Sequence, residues 1–279
     1  MSKHDYSNLK EFDINKELFE QDFEKETCDD KNFVPFPCIK IETMKQVHSL
    51  FNKIFELEKE QTEFFYRGHY NADWLLECTL EREIKNTKIS IHYLKDKIFD
   101  DFKENLRGFL TDQSLLKIRH NEDIRELWAI GRHHDLKTPY LDWTKSIYVA
   151  LFMAYSEPVN RKDENDYSAI FMVNPEYFLE HHGLENVYWF TPKTDYYGRI
   201  NAQNGYLSEY TIRDHIKSNL EKYSKCAIKI YINNHLKKEI VSYLNHIGIK
   251  YTTMYPDLLG VVKYVNNRLT ELLNEKPRN

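Results

Sequence analysis

The sequence predicts an α+β fold: a single mixed domain with a small central sheet flanked by helices, preceded by an N-terminal extension. Amphipathic stretches with three- and four-residue steps are interspersed with short aromatic or β-branched runs, so both periods are present. Their order is irregular, unlike the evenly spaced β-α-β units of a doubly wound sheet. No G-x-G-x-x-G or G-x-x-x-x-G-K-[ST] loop occurs, which sets Rossmann and P-loop folds aside. At 279 residues the chain is near the size, about 250–300 residues, at which one core stops growing. Its hydrophobic share of 41%, with 16 Phe, 20 Tyr and 4 Trp, is ample for that core.

Residues 1–38 are strongly charged and end in Val34-Pro35-Phe36-Pro37, which reads as a loosely packed lead-in to a domain over 39–279. From Thr43, the positions Val47, Leu50, Phe51, Ile54 and Phe55 mark one face of a helix, after which Phe64-Phe65-Tyr66 has strand character. Ile91, Leu94, Ile98, Phe102, Leu106 and Phe109 predict a helix from Ser90 to Thr111, with Ser90 as its cap. A shorter helix over Asn121–Ile130 buries Ile124, Leu127 and Trp128 and delivers the chain to Gly131-Arg132-His133-His134. Ser146–Tyr155 is apolar around nearly its whole circumference, so a central helix is expected, stopped by Pro158. Ala169–Val173 reads as a buried strand and Cys226–Ile232 as a strand with one wetter face. Asn234 is placed to cap a helix carrying Leu236, Ile240, Leu244 and Ile247, and Gly248 ends it in the left-handed conformation. A strand near Ile249–Thr252 and a helix after Asp257 complete the chain.

A net charge of −5 excludes a surface that is wholly an electrostatic footprint for nucleic acid, while leaving room for a local basic groove. No apolar run reaches the roughly 18 residues of a membrane span, and Met1–Asp5 lacks a signal peptide's apolar stretch, so a cytoplasmic protein without membrane contact is expected. Cys28, Cys38, Cys78 and Cys226 lack C-x-x-C spacing and read as reduced thiols.

Polar residues interrupt the apolar elements at a few places. Arg67 follows an aromatic strand, where its donors need a carboxylate or phosphate; a structural salt bridge and an anion site are both open. Gly68 beside it permits close approach of a ligand or of backbone. Arg132 to Thr144 compresses His133, His134, Asp135, Thr138, Asp142, Trp143 and Thr144 between two core helices, a density of polar groups that must be satisfied internally or by a ligand. Capping by Asp142 or Thr144 and a backbone bond from His133 are the structural alternatives. No H-x-x-x-H pair places two imidazoles on one helical face, so no metal is expected. Arg199–Tyr206 contains Gln203, which can donate and accept at once, and Glu209 follows; a polar loop accounts equally well for this stretch. Tyr255–Gly260 reads as a helix start capped by Asp257.

Together these stretches resemble the FRG-domain family. Tyr66-Arg67-Gly68 is similar to its name motif, Arg132 to Thr144 followed by Ala150-Leu151-Phe152-Met153-Ala154 to its most specific block, and Arg199–Gly205 and Tyr255–Gly260 to its later segments, over about residues 60–266. Arg132, Asp135, Lys137 and Pro139 depart from the family's usual Gln, Gly, Pro and Arg. The layout also resembles that of Arg-first ADP-ribosyltransferases. That resemblance implies an ADP-ribosyltransferase-like fold and NAD as co-substrate, with Arg67 on the diphosphate helped by Tyr66, Gly68, Thr138 and Trp143. It further implies His133 and Thr144 around nicotinamide and ribose, Gln203 at the ribose, and Asp142 or Glu209 stabilising positive charge. The function it implies is a NAD-consuming transferase or glycohydrolase, as in a toxin or phage-defence effector, with a protein or nucleic-acid target and an antitoxin or sensor partner. The alternatives are a non-catalytic nucleotide or nucleic-acid binding module and a nuclease.

Overall fold

A computed structural model describes residues 6–25, 36–85, 87–110, 112–156, 165–176, 189–209 and 227–274. The expected Thr111, Pro158, Cys28 and Cys226 features lie outside them. Among the described residues, eight strands form one sheet: β1 (Glu24–Lys25), β2 (Pro37–Ile41), β3 (Phe65–His69), β4 (Tyr140–Thr144), β5 (Tyr167–Val173), β6 (Trp189–Phe190), β7 (Gly205–Glu209) and β8 (Ala227–Asn233), in the order β1-β2-β8-β5-β3-β4-β7-β6. Only β2 and β8 run parallel, and the other neighbours are antiparallel, as an α+β sheet requires.

Helices cover both faces. On one face lie α1 (Met44–Lys59), α5 (Ile147–Tyr155) and α7 (Lys237–His246), packed on Ile170, Met172, Ile230 and Ile232; on the other lie α2 (Thr79–Ile84) and α3 (Ile91–Asn105), over Phe65, Leu141, Trp143 and Phe171, while α4 (Asn121–His133) packs in a separate cluster against Tyr140 and Leu207. The alternation of β5 between these clusters explains its unbroken apolar run. The chain also contains α6 (Arg199–Ala202), α8 (Tyr251–Met254) and α9 (Leu258–Asn274). Among the described residues, no helix is long and apolar enough to cross a membrane.

Several expectations need correction. The N-terminal stretch is not loosely packed where it is described: Phe12 and Leu18 sit in the main core. Gln46, which closes the α1 capping box with Thr43, also donates to Phe12 O at 2.9 Å and so ties this stretch to the helix. Helix α3 ends at Asn105, short of Leu106, and Phe109 is exposed, because Gly108 at φ 82° turns the chain away. The β8 face read as wetter is buried, since β8 is an interior strand flanked by β2 and β5; Lys229 lies across it with its ammonium 4.8 Å from the Tyr231 ring. The expected Ile249–Thr252 strand is instead the start of α8, because Thr253 Oγ1 accepts from Lys250 N–H at 3.0 Å and nucleates a turn that packs Tyr251 on Phe152. Asn233, rather than Asn234, caps the turn leading into α7.

Candidate functional site

The two halves of the sheet barely touch where the site forms. Strand β3 pairs with β5 over five residues and β4 with β7 over five, but β3 and β4 share a single registered pair, Tyr66 and Thr144. In that antiparallel register the next partners would be Arg67 with Trp143 and then Gly68 with Asp142, yet neither pair is registered, because the strands have parted there. The Asp142 carbonyl freed by the split accepts a hydrogen bond from Arg67 Nη1 at 2.7 Å, so a side chain replaces a rung of the ladder. Arg67 Nε donates to His69 Nε2 at 3.0 Å, from the same face of β3.

Gly68 is required by packing on the other face. A Cβ there would fall inside contact distance of Ala150 O and 2.8 Å from Ala154 N. Ala150 and Ala154 are fully buried, so α5 rests its backbone directly on β3. The close approach that Gly68 permits is therefore to helix backbone.

A cleft of about 680 Å³ opens at this split. Arg67, His133, Asp142, Thr144 and Gln203 line it, along with Tyr66, Gly68 and Trp143. Arg132, from the last turn of α4, forms a two-pronged ion pair with Asp142 through Nε and Nη2, and its Nη1 donates to Thr138 Oγ1 at 3.1 Å. Thr138 is wholly buried and supports Arg132 rather than forming part of the cleft wall. Thr144 donates to Gln203 O at 2.6 Å and accepts from Ser146 N–H, while Ser146 Oγ caps α5. Gln203 Nε2 donates to Met254 O at 2.9 Å, which aims the amide. The indole of Trp143 is buried against Trp189 and donates to Ser208 Oγ.

Glu209 lies apart, at the far end of β7. It pairs with Lys95 and lines a second pocket of about 290 Å³ with Tyr140 and Trp128. Of the two carboxylates expected to serve the site, the cleft therefore holds Asp142.

The electrostatics favour an anion. Burial pushes Arg67 down to about 10, opposed by Asp142 and aided by the neighbouring Arg132 charge. Asp142, about half exposed to the cleft, would be raised by desolvation, but the Arg132 and Arg67 guanidiniums outweigh this and hold it below the usual carboxylate range. His133 is lowered by burial and by Arg199, and the fully enclosed His69 is lowered far more, by burial and by Arg67. Both imidazoles are thus neutral at pH 7. Arg67, Arg132, Lys137, Arg199 and Lys263 face the cleft against Asp135 and Asp142. Among the described residues, no group of three or more His, Cys, Asp and Glu is placed to hold a metal ion.

Tyr255, Leu259 and Lys263 of the C-terminal segment also line the cleft, although the sequence pointed there only to a helix start. Asp257 fixes them: it accepts from Gly260 N–H at 3.0 Å and from Arg199 Nε at 2.7 Å, joining α9 to α6. The signal available was the pairing of two distant segments, one offering Arg199 and the other Asp257.

Fold and site define a class: an α+β protein whose split sheet carries a cationic cleft built around an arginine. The FRG domain family model matches residues 62–164, so this chain carries an FRG domain. The match spans β3, β4 and α5 and includes Arg67, His133, Asp142 and Thr144; Gln203 and Glu209 lie beyond it. No curated protein and no solved structure matches the chain.

Proposed function

We propose that the cleft binds NAD and that the protein is an ADP-ribosyltransferase-like or NAD glycohydrolase effector. One observation carries this reading: Arg67 on β3, Thr144 on β4 and Gln203 at the entry to β7, far apart in sequence, line one cleft on three successive strands. Its volume falls within the roughly 300–1,000 Å³ typical of small-molecule sites. The dinucleotide fits the donor set, because the hydrogen bonds of Arg67 use Nε and Nη1, and Nη2 meets no acceptor among the described residues. Arg67 meets the diphosphate through Nη2, and the Arg132 charge beside it adds to the field on that anion. His133, neutral, and Thr144 line the nicotinamide and ribose end, and the Gln203 amide orients the ribose. Bound NAD would supply a nicotinamide leaving group; as its glycosidic bond breaks, the Asp142 carboxylate would stabilise the cationic ribose carbon, to which water or a nucleophile of the target then bonds.

An effector with this activity fits a toxin or phage-defence setting, restrained by an antitoxin or sensor and acting on a protein or nucleic acid. The test is nicotinamide release from NAD by the purified protein, alone and with cell extract. Turnover falling at least about 100-fold in Arg67→Ala is expected, the scale of losing a buried charged donor. No turnover, or turnover indifferent to Arg67, rejects the reading. The cationic lining favours a second reading, a non-catalytic nucleotide or nucleic-acid binder. That reading predicts binding without nicotinamide release, with affinity falling steeply with salt.

A further inference from the structure

Helix α9 lies on the body of the protein by one narrow edge. Gly260 packs against the Tyr255 backbone, Lys263 stands over the Tyr255 ring at 4.9 Å, and Asn267 donates to Ser156 O at 2.7 Å. At about 100° per residue these positions share one side of the helix. The opposite side carries Leu258, Val262, Val265, Leu269 and Leu272, spaced four, three, four and three residues apart. That is the a/d seam of a coiled coil, and its members are between 45% and 78% exposed. An amphipathic helix covering its own core turns its apolar stripe inward; α9 turns it outward.

We infer that this seam is the interface for a second copy of the chain, joined by an antiparallel pairing of the two α9 helices. The first argument is register. Set antiparallel, the four central layers match like with like: Leu258 faces Leu269 of the other copy and Val262 faces Val265, each pair occurring twice about the two-fold axis. The second is charge. Arg268 is the one charged residue at a described flanking position, and in this register it lies alongside Val261 of the other copy, so the two-fold brings no like charges together. The third is area. With Leu259, Val261 and Leu273 flanking it, the exposed apolar surface exceeds the few hundred Å² that a monomer ordinarily shows and is on the order of the roughly 800 Å² per partner of a stable interface. The strict seven-residue repeat favours a helix partner over a lipid surface, which needs only a broad apolar face. Because Leu259 and Lys263 line the cleft, pairing sets the second copy beside its mouth.

The test uses the full chain. Light scattering with size exclusion at micromolar concentration is expected to give a mass twice the 33.7 kDa of one chain. Val265→Glu and Leu269→Glu are each expected to raise the dissociation constant at least about 30-fold, with a melting temperature equal to the wild type's at dilutions where both are monomeric, because these residues are exposed within one chain. Oxidative cross-linking is expected to join a Val262→Cys chain to a Val265→Cys chain more efficiently than either to itself. A wild type that stays monomeric, or dimers that persist in both glutamate variants, would overturn the interface. Preferential Val262→Cys self-linking would overturn the antiparallel arrangement. Monomers that float with phosphatidylserine vesicles through these residues would assign the seam to membrane instead.

Discussion

At the scale of single residues, Asp135 explains one departure in the block that carries the site. It sits at φ 64°, the left-handed turn that ends α4, where Leu136 N–H reaches back to Gly131 O at 3.0 Å. Glycine adopts this conformation without strain, so Asp135→Gly is expected to raise stability by about 0.5–1 kcal/mol, read as a higher melting temperature. The imidazoles give a pH prediction. His69 and His133 bind protons less tightly folded than unfolded, so the unfolded chain gains protons first as pH falls. Stability should therefore be level above pH about 6.5 and fall below it. Melting curves between pH 5 and 8 test this, and His69→Gln should flatten the slope if His69 is its main source. The sequence made Arg67, His133, Asp142 and Thr144 legible because each is a polar residue pressed against apolar elements. It did not reveal His69 as the partner that orients Arg67, since a histidine two residues along a strand shows nothing of what its face meets.

At the scale of elements, the contact between α5 and β3 is the tightest joint in the site. Gly68→Ala puts a methyl group into the Ala150 carbonyl, which neither backbone can vacate without moving the helix. A loss of about 3 kcal/mol or more is expected, measured by chemical denaturation, together with loss of whatever the cleft binds. Thr43→Ala, which removes the α1 cap, should cost nearer 1 kcal/mol and leave binding intact. Long periodic helices were legible: α1 and α5 fall close to where their apolar spacing puts them. Ile249–Thr252 was misread as a strand because its isoleucine, tyrosine and threonine carry strand propensity, whereas the turn that follows is set by the Thr253 hydroxyl and by packing of Tyr251 on Phe152. Strand β8 falls where it was expected, but one of its faces was misread as wetter because Lys229 suggested solvent, when two neighbouring strands and aromatic rings enclose it.

At the scale of the whole molecule, the sheet is strongest on one side of the site. Strands β5, β8 and β2 are long, mutually paired and buried, while β6 is a two-residue edge. Amide exchange should be slowest at Ile170, Ile230 and Ile39 and fastest at Trp189 and Phe190; comparable rates across the sheet would contradict this ranking. The mixed fold class was legible from the two periods and their irregular order. Strand order was not, because which strands adjoin depends on contacts among distant segments, and so the meeting of Arg67, Thr144 and Gln203 could be suggested only by resemblance. The single registered pair between β3 and β4 has a mechanical consequence. With one rung of main chain between them, the two parts of the sheet behave as leaves on a pin, and the bracket of Arg67, Asp142 and Arg132 sets how far they stand apart. Substituting any member of that bracket retunes the gap while the ladders on either side stay whole.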